Sequence, residues 1–173
     1  LNENFKLRNA DTSEIVADFK PIAGASQIEF RLAKKDPNGN PTNGIVRYNT
    51  PETNDADESI KPSRIWPRRQ YLNLFVVKSI ASGAAGYTYL PSNFFPGEDR
   101  DAIIVLYDYV GSIGTSDPNT SKTLTHEIGH WLNLNHTWGG SNEPGLTSNC
   151  QDDDNVSDTP NTIGYETCNL SGT

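Results

Sequence analysis

The chain has 173 residues, of which 34% are hydrophobic and 21% charged, and its formal net charge is −8. A chain of this length and composition can bury a core of its own, and disorder should not dominate it. The acidic charge argues against binding nucleic acid or an anionic membrane surface by electrostatics. No apolar run approaches the roughly 20 residues needed to cross a bilayer.

The N-terminal third predicts a partial helix, two short strands and a loop. Scattered apolar positions in residues 1–19 indicate some helix, and the apolar–polar alternation of residues 28–33 predicts a strand with one solvated face. Residues 36–41 form a Pro/Asn/Gly turn cluster, and residues 45–48 predict a second short strand. Residues 49–69 are polar and Pro-punctuated, which favours a surface loop.

The middle of the chain predicts the core sheet and a helix. Residues 71–77 and 102–109 are almost wholly apolar, typical of strands buried on both faces, and residues 83–90 predict a strand entered through glycines. Residues 118–121 mark a helix start, with Ser121 or a neighbour as N-cap, and the helix should run to about Asn133. The remainder is rich in Gly, Asn, Asp, Ser and Thr and should be irregular.

All three histidines of the chain fall at metal-ligand spacing within residues 126–136. On a helix, His126 and His130 lie about 40° apart and can chelate one zinc ion. Glu127 can then act as general base, taking a proton from a zinc-bound water that attacks a peptide carbonyl. Three protein ligands leave a fourth position open, as in catalytic rather than structural zinc sites. The alternative is three solvated or core histidines.

His136 can join this site only if the helix breaks. It follows His130 by six positions, and a continuing helix would point it away from the metal. Asn133 is the expected break, because Asn tolerates a left-handed backbone better than most residues. On the opposite helix face, an apolar stripe should pack on the sheet: Leu124, Ile128, Trp131 and Leu132.

The chain resembles the pappalysin family of metzincin zinc peptidases in four segments: residues 71–77, 86–91, 124–138 and 154–160. The resemblance implies an α+β fold, in which a twisted, mixed five-stranded sheet packs on helices that include the active-site helix, and a loop-rich C-terminal segment follows. It also implies endopeptidase activity on protein or peptide substrates. An edge strand near Gly86, Tyr87 and Thr88 would pair with the extended substrate.

Two departures from the family pattern concern the extent of the chain. One is its ends, since residues 1–5 resemble the end of the family's first long helix and Thr173 falls where the family's C-terminal subdomain begins. The other is a missing turn. The family carries a methionine-containing turn beneath the zinc, whereas this sequence has no methionine. We therefore expect residues 1–173 to be a catalytic domain incomplete at both ends. Residues 1–136 would form the N-terminal subdomain, and residues 137–173 would begin an irregular C-terminal one. A second fragment of the same precursor would supply the methionine turn. The alternative is a divergent, truncated protein.

The acidic residues 151–159 concentrate oxygen ligands of the kind that calcium prefers. Composition alone favours a solvated acidic loop. The resemblance implies a calcium ion near this place, with Asp154, Val156 (by its carbonyl), Asp158 and Thr159 as candidate ligands.

The two cysteines indicate a disulfide in an exported protein. Taken alone, Cys150 and Cys168 would pair with each other. The family resemblance implies instead that each bridges to a cysteine on a separate segment.

Two functions follow for the chain. The first is a secreted, zinc-dependent endopeptidase with Glu127 as its base. The alternative is a non-catalytic, zinc-stabilised module that binds peptides or surfaces, or an inactive fragment of a peptidase. Retention of Glu127 favours the first, because a structural zinc site needs no base beside its ligands.

Overall fold

The computed structural model describes residues 1–91 and 100–165. The chain divides into two compact units, one formed by Phe30–Asn133 and the other by Leu1–Glu29 with Leu134–Thr173. Among the described residues, no helix is long and apolar enough to cross a membrane.

The unit Phe30–Asn133 contains a three-stranded sheet in its described part. The strands are β1 (Leu74–Val77), β2 (Gly86–Tyr87) and β3 (Ile103–Leu106), in the order β1-β3-β2. β1 runs parallel to β3 with Leu74 opposite Ile103, and β2 runs antiparallel with Gly86 opposite Val105. The β-branched side chains of β3 are fully buried, as expected for a central strand. The predicted mixed sheet is therefore confirmed.

The expectation of five strands is wrong for the described residues, because residues 28–33 and 45–48 are not strands. Their apolar side chains stay accessible, with Leu32 58% and Val46 50% exposed. Alternation shows which face a strand would bury, but it does not show which neighbouring strand would form backbone hydrogen bonds with it. Residues 71–77 are likewise not buried on both faces. β1 lies at one edge of the described sheet, where Leu74 and Val76 are exposed.

The core of this unit joins the sheet to the loop before it. Ala56, Ile60, Val77, Ile80 and Ile104 form one buried cluster. Lys61 is also completely buried beside it, and its Nζ donates to Glu58 Oε2 (3.1 Å) and to the carbonyl of Arg100 (3.1 Å). The same ammonium lies 5.3 Å from the ring centre of Tyr87. These contacts fix β2 against the polypeptide around it.

The main helix, α2 (Lys122–Trp131), completes the unit. Ser121 is its N-cap but makes no side-chain cap bond. The carboxylate of Asp117 instead accepts from the N–H groups of Asn119 and Thr120 in the preceding turn. Leu124 and Ile128 are buried as predicted, but Leu132 is 36% exposed. The apolar stripe ends early because α2 ends at Trp131.

The unit formed by Leu1–Glu29 and Leu134–Thr173 has little regular structure among its described residues. It contains the one-turn helix α1 (Asn2–Phe5) and the 3₁₀ segments Ala10–Glu14 and Thr147–Gln151. The N–H of Ser26 donates to the carbonyl of Phe5 (2.7 Å). The partial helix predicted for residues 1–19 and the irregular chain predicted after α2 both agree with this description.

Candidate metal centre

Two of the predicted ligands lie one turn apart on α2. The Nε2 atoms of His126 and His130 are 3.0 Å apart, and their rings are nearly perpendicular at 88°. Two nitrogen ligands of one tetrahedral ion would be separated by about 3.3 Å at the usual zinc–nitrogen distance. The two imidazoles are therefore already close to a chelating arrangement.

The helix breaks at the predicted residue. Asn133 has a φ of 73°, in the left-handed region, directly after the C-cap residue Leu132. Its N–H donates to the carbonyl of His130 (2.8 Å), a tighter turn than an α-helix makes. The chain consequently leaves the helical path before His136, as expected.

His136 is held by two contacts with the residues that follow it. Its Nδ1 lies 2.8 Å from the carbonyl oxygen of Ser141, and its ring stacks on Trp138 with centroids 4.4 Å apart and planes 2° apart. A carbonyl oxygen can only accept, so Nδ1 must carry the proton. In the neutral imidazole this leaves the Nε2 lone pair for a metal.

The three histidines come together. One ligand nitrogen from each of His126, His130 and His136 lies within 4.8 Å of the others. In the part of the chain that the structure describes, no other group of three or more His, Cys, Asp or Glu side chains is arranged to hold one metal ion. Three imidazoles suit a zinc ion with one open coordination position, so the donor set fits the predicted metal.

Glu127 lies between the two helical ligands in sequence and is only 6% exposed. Burial raises the pKa of this carboxyl to about 7, while a hydrogen bond from the backbone N–H of Thr88 lowers it by a smaller amount. The side chain thus titrates near neutral pH in the metal-free protein. That range suits a general base.

Gly86 allows β2 to approach α2 closely at this point. A Cβ at Gly86 would lie 3.1 Å from Thr123 Cγ2, 3.2 Å from the carbonyl oxygen of Ile104 and 3.3 Å from Glu127 Cγ. A larger residue would press on Glu127 or on the central strand. The glycine therefore has a packing role beside Glu127.

The residues predicted to bind substrate lie at an edge of the described sheet. Gly86 and Tyr87 form β2, and Thr88 follows it. Burial, followed by a hydrogen bond with Glu58, raises the pKa of the Tyr87 phenol well above its usual range. An edge position is what β-augmentation requires, but substrate pairing itself stays a prediction.

The acidic loop gives no independent sign of a metal. Asp154 is buried, and its Oδ1 accepts from the N–H of Val156 (2.9 Å). The carbonyl of Val156 in turn accepts from the N–H of Thr159 (3.0 Å), while Asp158 is exposed. Local turn hydrogen bonds thus already involve Asp154, Val156 and Thr159. Calcium at these four residues stays a prediction.

The disulfide prediction is untested. Cys150 is exposed and makes no disulfide with any described residue. Cys168 lies outside the described residues.

Comparison with known proteins gives the family. Residues 54–172 match the model of the M43 peptidases, described as pregnancy-associated plasma protein-A, which is the pappalysin family. The chain belongs to this family. The resemblance seen in the sequence motifs is therefore confirmed.

Curated relatives agree with this assignment. An extracellular metalloprotease of Verticillium alfalfae is 33% identical over 83% of this chain and 45% of its own length. Extracellular metalloprotease 1 of Coccidioides posadasii is 40% identical over 51% of this chain and 30% of its own length. The chain thus spans less than half the length of these relatives.

Solved structures support the fold. Mature mirolysin of Tannerella forsythia, in complex with a cleaved peptide, is 37% identical with a TM-score of 0.81, and the match covers 95% of this chain and 62% of that one. Mirolysin in complex with a small compound gives a TM-score of 0.79 at 36% identity.

Sequence reasoning missed three residues around His136. Trp138 stacks on its ring, the Ser141 carbonyl accepts from it, and Gly164 packs against Trp138. Trp138 was noted only as part of a family-like segment. Nothing in the sequence indicates the roles of Ser141 and Gly164, because both contacts depend on how an irregular segment folds back on itself.

Proposed function

We propose that this chain forms the catalytic part of a secreted zinc endopeptidase. The observation that carries the proposal is the convergence of three histidine nitrogens within 4.8 Å, with a buried glutamate directly after the first histidine. Membership of a peptidase family supports the same conclusion.

Each residue of the site has a distinct role in this proposal. His126, His130 and His136 would hold the ion by their Nε2 atoms. Zinc bound there supplies a Lewis acid that polarises the substrate carbonyl and acidifies water. Glu127 accepts the proton of the attacking water and passes it to the departing amine. With a cation bound at the histidines, the pKa of Glu127 would be lower, and the carboxylate would stay ionised and able to accept that proton at neutral pH.

The substrate in this proposal is an extended protein or peptide segment. β2 lies at an edge of the described sheet, and its Gly86 packs against Glu127. A peptide added as a further strand along Gly86, Tyr87 and Thr88 would run close to the general base. The complex of mirolysin with a cleaved peptide is consistent with this class of substrate.

Two further observations bear on location and on the alternative function. The curated relatives are named extracellular, which supports secretion. A non-catalytic zinc module gains nothing from Glu127, whose burial as a charged group costs free energy. The peptidase is therefore the better account.

The test combines metal content with cleavage of an unfolded protein substrate. We expect one zinc per molecule after removal of loosely bound ions. Glu127→Gln should keep that zinc but lose about 10²–10⁴-fold or more in kcat, because the base is lost while the ligands remain. Glu14→Gln, an identical change at an exposed position, serves as the control. Less than half an equivalent of zinc, or near-normal cleavage by Glu127→Gln, would refute the proposal.

A further inference from the structure

We infer that Trp138 is a positioning residue for the metal ligand His136, and that Gly164 is the small residue that makes room for it. The inference rests on the proposed zinc site and identifies residues that fix the orientation of one of its ligands. All the contacts that carry it lie within the segment that follows α2.

The first step concerns orientation. The indole of Trp138 lies parallel to the His136 imidazole at 4.4 Å, so it blocks rotation of the ligand ring toward that side. Trp138 is itself fixed, because its Nε1–H donates to the carbonyl oxygen of Ser141 at 2.9 Å. The stack therefore presents a ring of defined orientation to the metal.

The second step concerns the tautomer. The same Ser141 oxygen accepts from His136 Nδ1 at 2.8 Å. One carbonyl thus receives two N–H groups from two stacked rings, and this arrangement keeps the His136 proton on Nδ1. Outer partners of this kind direct the other imidazole nitrogen to the metal.

The third step concerns the space that the indole occupies. A Cβ at Gly164 would lie 2.5 Å from Cε3 and 2.6 Å from Cδ2 of Trp138, and 3.0 Å from Pro144 Cβ. Two of these contacts are shorter than real Cβ atoms make, so any larger residue must displace the indole. Displacement of the indole would release the His136 ring.

The experiment measures zinc affinity by competition with a chelator, and follows the ligand geometry through the visible absorption of the cobalt(II)-substituted protein. Trp138→Leu removes the stacking ring and the N–H, and should weaken zinc binding by about 10- to 100-fold while shifting the cobalt bands. Trp138→Phe keeps a ring and should fall between Trp138→Leu and the unmodified protein. Trp66→Leu, a change at a tryptophan paired with Tyr71, should leave zinc affinity unchanged.

A glycine pair keeps the test decisive if Trp138→Leu fails to fold. Gly164 and Gly145 both have positive φ, 73° and 82°, so alanine strains the backbone at either position. A Cβ at Gly145 meets nothing within 4 Å, whereas one at Gly164 meets the indole. Gly164→Ala should therefore weaken zinc binding and shift the cobalt bands, while Gly145→Ala should only lower stability.

The outcomes separate this inference from the proposed function. If the unmodified protein binds no zinc, the proposed function fails and the inference fails with it. If that protein binds zinc, but folded Trp138→Leu and Gly164→Ala both match it in affinity and cobalt spectrum, only the inference is overturned.

Discussion

Gly86 of β2 packs so closely on Glu127 in the middle of α2 that a Cβ at Gly86 would lie 3.3 Å from Glu127 Cγ. The proposed base thus lies directly beside β2, the proposed substrate-binding strand. Any movement of that strand would change the environment of the base. The first prediction tests the burial of Glu127, and the second tests its packing against β2.

The stability of the metal-free protein should depend on pH through Glu127. Its pKa is about 7 in the folded protein and 4.5 in an unperturbed carboxyl, so the folded state holds the proton more tightly. Below about pH 4.5 the carboxyl is protonated in both states, so its ionisation does not destabilise the folded protein. Above about pH 7 it is ionised in both states, and the folded protein bears the full free-energy cost of burying the charge. The free energy of unfolding should fall across this window by at most about 3 kcal/mol relative to Glu127→Gln.

Denaturant unfolding of both proteins in the presence of a chelator, between pH 4 and 8, provides the measurement. The comparison with Glu127→Gln removes the titration of the histidines, which both proteins share. A difference in unfolding free energy that stays constant across the range would contradict the assigned pKa.

Alanine at two glycines near the site should have opposite effects. Gly86→Ala places a methyl group against Glu127 and the central strand, and should lower stability by about 1–3 kcal/mol and reduce kcat. Gly129 lies inside α2, and its added Cβ meets nothing within 4 Å. Gly129→Ala should therefore raise stability by about 0.4–1 kcal/mol. Thermal unfolding and peptide cleavage of the two variants would show whether the signs are correct.

Position 133, where the backbone is left-handed at the end of α2, should accept glycine but not a β-branched residue. Asn133→Gly keeps the φ of 73° accessible and should change stability by only a few tenths of a kcal/mol. Asn133→Val should cost about 1–2 kcal/mol and weaken zinc binding, since the chain could no longer turn back toward His136. Equal zinc affinity in the two folded variants would show that the break does not position the third ligand.

Calcium should raise the melting temperature of the zinc-loaded protein if the acidic loop binds it. The oxygen ligands of Asp154, Val156, Asp158 and Thr159 would then stabilise the folded state by mass action. Asp158→Asn should reduce the shift, because Asp158 is the exposed carboxylate of the set. Identical melting in calcium and in a calcium-selective chelator, at constant zinc, would favour the solvated loop.

The sequence predicted the elements whose signal is local. Three histidines and a glutamate at fixed spacing predicted α2 and the proposed metal ligands, and Asn133 is the residue at which the helix breaks. The apolar runs gave β1 and β3. The strand prediction was wrong for residues 28–33 and 45–48. An alternating segment becomes a strand only beside a neighbouring strand, and the pattern does not identify that neighbour.

The sequence alone thus predicted the candidate metal-binding residues, the helix that carries two of them and the family. Only the tertiary structure decided that Gly86 must lack a side chain beside Glu127, that Trp138 and Ser141 contact His136, and that Gly164 packs against Trp138. The physical reason is distance along the chain. The histidine spacing is a pattern within one or two helical turns. Gly86 and Gly164 lie far along the chain from the residues that they contact, and no short-range pattern predicts where the chain will fold back.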